Sequence, residues 1–337
     1  MRATAIPLVA LFIVACSQPE TPQEEAPATE RTAAAGKIVR LDPALDELLD
    51  ADAVVEKIAD GFQFIEGPVW VGGADDGFVL FSDIPANKVY QWSEKLGTSV
   101  FLEEVLAPDA GTGATGGSNG LALDLQGRLV LCEHGNRRVA RIEVDGSRIT
   151  LADRYDGKRL NSPNDIVFHS NGSAYFTDPP YGLPQQDDDP RKELAWQGIY
   201  RLDPDGTVTL LAQQSRPNGI GLSPDERTLY VANSDIEDPV WRRYDVKDDG
   251  SLGEPSVLFD GSTVGDPGVP DGLTIDEHGN LWATGQGGVL VISPDGRHLG
   301  TVQPDELPAN AGFGNDGRTL YMTARTGLYR VRTKVSG

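Results

Sequence analysis

Basic residues are scarce in this chain: 29 Lys and Arg stand against 51 Asp and Glu in 337 residues, a formal net charge of −22. That balance argues against nucleic acid as a partner, because phosphates demand a basic surface. It would also repel an anionic lipid surface. Histidine is limited to four residues, too few to suggest a His-rich zinc centre. Gly116-Gly117-Ser118-Asn119-Gly120 matches Gly-x-Ser-x-Gly in letters, but it leads into an alternating strand and not into a helix, so it is no nucleophile elbow and a covalent serine mechanism is disfavoured. The apolar run at 5–15 is too short to span a bilayer as a helix. Long amphipathic helical periodicity is also missing, and 43–52 is the single short helix candidate. Cysteine is nearly absent, with Cys16 and Cys132 alone.

The run at 5–15 suits the core of a signal peptide, and Ile13-Val14-Ala15-Cys16 resembles the bacterial lipobox. Residues 1–16 are therefore read as a lipoprotein-type signal peptide ending in the lipidation site Cys16. Residues 17–37, rich in Pro, Glu, Thr and Ala, read as a disordered tether. Residues 38–337 read as one folded domain. The mature chain then has no second free thiol for an intramolecular disulfide, and Cys132, inside an apolar segment, is expected in the core. These features predict an exported, lipid-anchored protein facing the periplasm or exterior. Ser17 after Cys16 resembles outer-membrane sorting where the source has two membranes.

What is abundant is a repeat. The segments NGLALDLQGRLVLCE from Asn119, NDIVFHSNGSAYFTD from Asn164, NGIGLSPDERTLYVAN from Asn218 and DGLTIDEHGNLWAT from Asp271 share one pattern. A further copy, EGPVWVGGADDGFVLFSD, starts at Glu66, and an altered one, AGFGNDGRTLYMT, at Ala311. Each has period-2 alternation, a Gly/Asp/Asn-rich tip and a second apolar strand, which spells a hairpin. Third and fourth strands follow in most copies. Spacings of about four strands per copy predict an all-β, six-bladed propeller of four-stranded antiparallel blades. The last copy supplies three strands, and 53–59 is expected to add the fourth and close the ring.

In a propeller the first strand of every blade lines the central channel. Glu66, Asn119, Asn164, Asn218 and Asp271 stand in one register at its start, so their side-chain oxygens should converge at one mouth of the channel. Two carboxylates among neutral amides form a hard-oxygen set suited to one divalent ion, Ca²⁺ first, with Zn²⁺, Mn²⁺ or Mg²⁺ as alternatives. The second strand returns to the same face, which brings Asp83, Glu133, His134, Asp178, 233–235, Gln286 and Arg325 to the rim. His134 could exchange protons near neutral pH. The insertion at 179–197, with Tyr181 and Trp196, is a candidate pocket wall. Arg137 and Arg138 read as solvated or paired with nearby acids.

Glu66-Gly-Pro-Val-Trp70, Ser162-Pro-Asn-Asp165, Pro217-Asn-Gly219 with Leu222-Ser-Pro-Asp225, and Pro270-Asp-Gly272 together resemble the regucalcin, gluconolactonase and luciferin-regenerating enzyme family. The resemblance covers 54 to about 332 and implies a six-bladed propeller with lactonase activity. It also implies Glu66, Asn218 and Asp271 as metal ligands, and Asn164 as a substrate or metal contact. Asn119 lies in a segment found in the longer bacterial members. Ser162 departs from the animal regucalcin pattern, in which an Arg often stands there.

The reading is a divalent-metal-dependent hydrolase opening a sugar lactone. Asp271 is the expected base and His134 the alternative. Glu66, Asn164, Asn218 and Asp271 would hold the ion, and Asn119, Asn164, Asp178, Tyr181, Asp235 and Arg325 would contact substrate. A phosphotriesterase or arylesterase using the same ion, and a non-catalytic binding propeller with a structural ion, are the alternatives.

Overall fold

The computed structural model describes residues 34–337 except Asp75, Asp109, Gly111, Thr112 and Thr115. Cys16, the signal peptide and most of the tether lie outside the described residues. The repeats form six blades, each a four-stranded antiparallel sheet paired in chain order, and only 4% of the structure is helical. Blade one runs Ile65–Val71, Phe78–Asp83, Lys88–Ser93 and Gly97–Glu103. The inner strands of blades two to five are Ser118–Leu123, Ile166–Phe168, Pro217–Leu222 and Leu273–Ile275. Blade six has Asn310–Gly314, Thr319–Ala324 and Gly327–Arg332. Its fourth strand is Glu56–Asp60, delivered from ahead of blade one, so the ring closes as expected.

The start of the fold differs from expectation. Gly36–Arg40 pairs with His298–Pro304 as a fifth strand on blade five, so Gly36 and Lys37 belong to the domain and not to the tether. Five residues of mixed polarity carry too little alternation to stand out as a strand. Pro43–Glu47 forms a 3₁₀ turn, started by the Asp42 carboxylate accepting the Ala44 N–H. The turn buries Leu45, and Leu48 and Leu49 follow it into the core shared by blades five and six. Full burial of one such leucine contributes about 1.5–3 kcal/mol. Cys132 is fully buried among Val130, Val139, Phe176 and Tyr200, as expected of a core thiol.

The inner strands hold the feature that builds the site. In blades one, two and four the ladder slips between Glu66 and Val69, Ser118 and Leu121, and Pro217 and Ile220. Such bulges release residues from pairing and re-aim their side chains. The freed backbone groups bond to the next blade instead. Gly120 N–H donates to Asn164 O at 2.7 Å, Gly219 N–H to Asp271 O at 3.1 Å, and Gly272 N–H to Ala309 O at 2.8 Å. Hydroxyls of the second strands seal the seams in between: Ser82 donates to Asn119 O at 2.8 Å and Thr177 to Asn218 O at 2.7 Å. A Cβ on Gly120 would lie 2.6 Å from Asn164 O, and one on Gly219 would lie 2.4 Å from Asp271 O. At Gly120 and Gly219 glycine follows the site residue because the neighbouring backbone occupies the space, whereas Gly67 also has a φ of 59° that favours glycine.

Candidate active site

The re-aimed side chains meet in a cavity of about 420 Å³, within the range of small-molecule sites. Glu66, Asn119, Asn164, Asn218 and Asp271 all line it, one from each of blades one to five. His134 and Tyr181 complete the polar wall with Ser234, while Phe64, Ile84, Pro85 and Val269 make the apolar one. Glu66 is almost fully buried, with one carboxylate oxygen accepting the Gly67 N–H at 2.9 Å. Asn218 donates its amide N–H to the Ser234 hydroxyl at 2.9 Å.

Burial raises the pKa of Glu66 and Asp271; the Asp165 carboxylate raises both further, and Glu66 adds to the rise at Asp271. No Lys or Arg is among the groups acting on either. Burial lowers His134 to about 4, so its imidazole is neutral at pH 7. Its Nε2, like Asn119 Oδ1, is buried with no hydrogen-bond partner among the described residues. Burial also lifts Tyr181 to about 12, keeping the phenol protonated, against a hydrogen bond with Ser234 that pulls the other way.

Three expected substrate contacts lie elsewhere. The Asp178 carboxylate is fully buried and accepts the N–H groups of Asn161 and Ser162, both at 2.8 Å. Asp235 caps its own turn through Glu237 N–H at 3.0 Å, and it does not line the cavity. Arg325 is exposed at a hairpin tip with φ 48°, also away from the cavity lining. The insertion divides its roles: Tyr181 faces the cavity, whereas Trp196 packs edge-on against Tyr155 and donates to the Tyr200 hydroxyl. Arg137 is neither solvated nor acid-paired. It is buried, donating to the carbonyls of Leu160, Asn161 and Arg191. Arg138 does pair with an acid, Glu133, at 2.6 Å.

Sequence reasoning brought Ser234 to the rim only as part of 233–235, and gave no role to Asp165 or Asn310. Asp165 sits behind Asn164, lining a second cavity of about 320 Å³ in the central channel. Burial raises its pKa to about 7 although it accepts the Ile166 and Ile220 N–H groups. Its signal was present: the other complete copies carry glycine at that position. Blade six pairs without a bulge, and its Asn310 side chain hydrogen-bonds to Glu66 and Asp165 from the channel side. The altered sixth copy thus supplies a polar support, where sequence register put only Ala309.

Among the described residues no group of three or more His, Cys, Asp or Glu side chains is arranged to hold a metal. The donor set is instead two carboxylates, Glu66 and Asp271, with the amides of Asn164 and Asn218. In chemistry it fits a divalent ion: the oxygens are hard, the carboxylates repel each other, and no protein cation balances them.

Known proteins share this architecture. The SMP-30/Gluconolactonase/LRE-like region matches residues 64–326. A gluconolactonase of Zymomonas mobilis is 40% identical over 316 residues, covering 90% of this chain and 87% of that protein. Regucalcin of Xenopus laevis is 29% identical over 276 residues, covering 79% and 85%. The solved structure of a gluconolactonase from Xanthomonas campestris superposes with a TM-score of 0.78 at 33% identity, covering 89% of this chain and 97% of that one. With the bulged inner strands and their ring of oxygen donors, these likenesses establish that the chain belongs to the SMP-30/gluconolactonase/LRE-like family.

Proposed function

We propose that the chain hydrolyses a sugar lactone in this cavity with the help of one divalent ion, Ca²⁺ by donor type. The observation that carries the reading is the convergence of Glu66, Asn164, Asn218 and Asp271 from four blades beside two unpartnered buried groups, Asn119 Oδ1 and His134 Nε2. Those four residues would hold the ion, which when bound supplies Lewis acidity toward the lactone carbonyl. Asp271 takes the proton of the attacking water at a carboxylate oxygen. Water oxygen bonds to the acyl carbon, the acyl–ring-oxygen bond breaks, and the ring oxygen leaves as a hydroxyl by taking back the proton held on Asp271, which regenerates the carboxylate. His134, neutral and unpaired at Nε2, is the alternative acceptor. Asn119 Oδ1 accepts a substrate hydroxyl, and the apolar wall limits water around the ring.

Titration of the acid released from glucono-1,5-lactone, with and without chelator, tests this reading. Turnover that survives chelation removes the metal from the mechanism. Ion uptake without turnover of any lactone or ester would leave a binding propeller. Asp271→Asn should lower kcat by about 10²–10⁴, and unchanged kcat in a folded variant removes the base assignment. The reading includes membrane attachment through Cys16; a Cys16→Ser protein still found with membranes would count against it.

A further inference from the structure

Ser234 lies at the end of the second strand of blade four, in a segment whose repeat counterparts show no common hydroxyl. Its side chain meets three groups at the site. It accepts the Asn218 amide N–H at 2.9 Å and donates to Pro270 O, the carbonyl directly before Asp271. The Tyr181 hydroxyl lies beside it. A serine hydroxyl has one proton and two lone pairs. Pro270 O can only accept, so it claims the proton, and the lone pairs are left for donors.

That allocation decides how Asn218 sits. With the hydroxyl proton committed to Pro270, the side of Asn218 facing Ser234 must be its NH₂. A flipped amide would set carbonyl oxygen against hydroxyl oxygen with no proton between them. We propose that Ser234 is a positioning residue: it holds Asn218 with Oδ1 toward the cavity as a cation ligand, and joins that ligand to the Tyr181 wall and the Asp271 backbone through one hydroxyl. The inference rests on the metal reading above.

Its consequences separate from simple packing. Removing the hydroxyl leaves the Asn218 amide guided only by the Asp271 carboxylate, which also accepts its N–H, whereas a carboxylate at 218 offers oxygen both ways and needs no such guide. Calorimetric titration of CaCl₂ into chelator-stripped protein tests this with S234A, S234T, N218D and the S234A/N218D double variant. S234A should bind Ca²⁺ about 10–100-fold more weakly, the range typical of losing a ligand's supporting bond. S234T should stay near wild type, and the loss should largely vanish in the N218D background. If S234A fails to fold, S234C keeps the volume while losing the strong hydroxyl bonds. Ca²⁺ bound equally by wild type and S234A overturns the role of Ser234 alone. An undiminished loss in the N218D background does the same, because Ser234 would then act through Pro270 or Tyr181 only. Wild-type protein that binds no divalent ion overturns the metal reading and this inference with it.

Discussion

Glu66 and Asp271 bring like charges into one buried space, and Asp165 adds a third carboxyl behind them. All three have raised pKa values, so each holds its proton more tightly folded than unfolded. Their stabilising contribution is full below the ordinary carboxylate range near about 4 and is lost as pH rises through the shifted values. The chelated protein should therefore melt at a lower temperature near pH 8 than near pH 5. Glu66→Gln should flatten that slope, and added divalent ion should restore the melting temperature at the higher pH. A melting temperature that climbs with pH under chelation would contradict the assignment. The five donor positions were legible because the copies share a register. Asp178 and Asp235 were not, for a physical reason. Alternation tells which end of the sheet a residue reaches, not where its side chain turns once there. Asp83, Asp178 and Asn233 all turn back onto backbone N–H groups of the loop leading into their own blade, so they repeat for a local purpose. The rim register reached Ser234 within 233–235 but not its role, since its importance lies in which groups surround it.

Each blade was readable as hairpins from alternation and turn chemistry, but the bulges were not. Period-2 patterning survives a slip if the residues inside it are polar, glycine or proline, and here they are. The glycines expose the difference between a turn and a seam. Gly219→Ala would drive Cβ into Asp271 O and to 2.7 Å from Gly272 Cα, so the blade four–five contact must open. A loss of about 1–3 kcal/mol is expected from such overpacking, together with a drop in lactone turnover, because Asp271 moves with its carbonyl. Gly127, at φ 73° with nothing within 4 Å of its Cβ, is the comparison. Gly127→Ala should cost about 1 kcal/mol from the left-handed φ and leave turnover intact. Chemical denaturation and initial rates on both variants decide it; equal effects on rate would show that the seam does not transmit to the site.

At the scale of the ring, Glu56–Asp60 covers the edge that Gly327–Arg332 would otherwise expose, and Arg330 binds Glu56 at 2.5 Å across that join. Gly36–Arg40 only thickens a blade that already has four strands. Removal of residues up to 41 should leave a protein that elutes from size exclusion as the full chain does. Removal up to 60 should give aggregates, through the open edge and the loss of Leu45, Leu48 and Leu49. Identical elution of both truncations would mean that closure does not depend on the late-joining strand. The axis of this ring has one more property. Asn164 faces the cavity of about 420 Å³ and its neighbour Asp165 the channel of about 320 Å³, and Glu66 and Gly67 divide in the same way. Consecutive residues of one strand thus face two different cavities along the axis. One is lined by Asp165 and Asn310, the other by Asn119 and His134, so the same short segments give the two ends of the channel different chemistry.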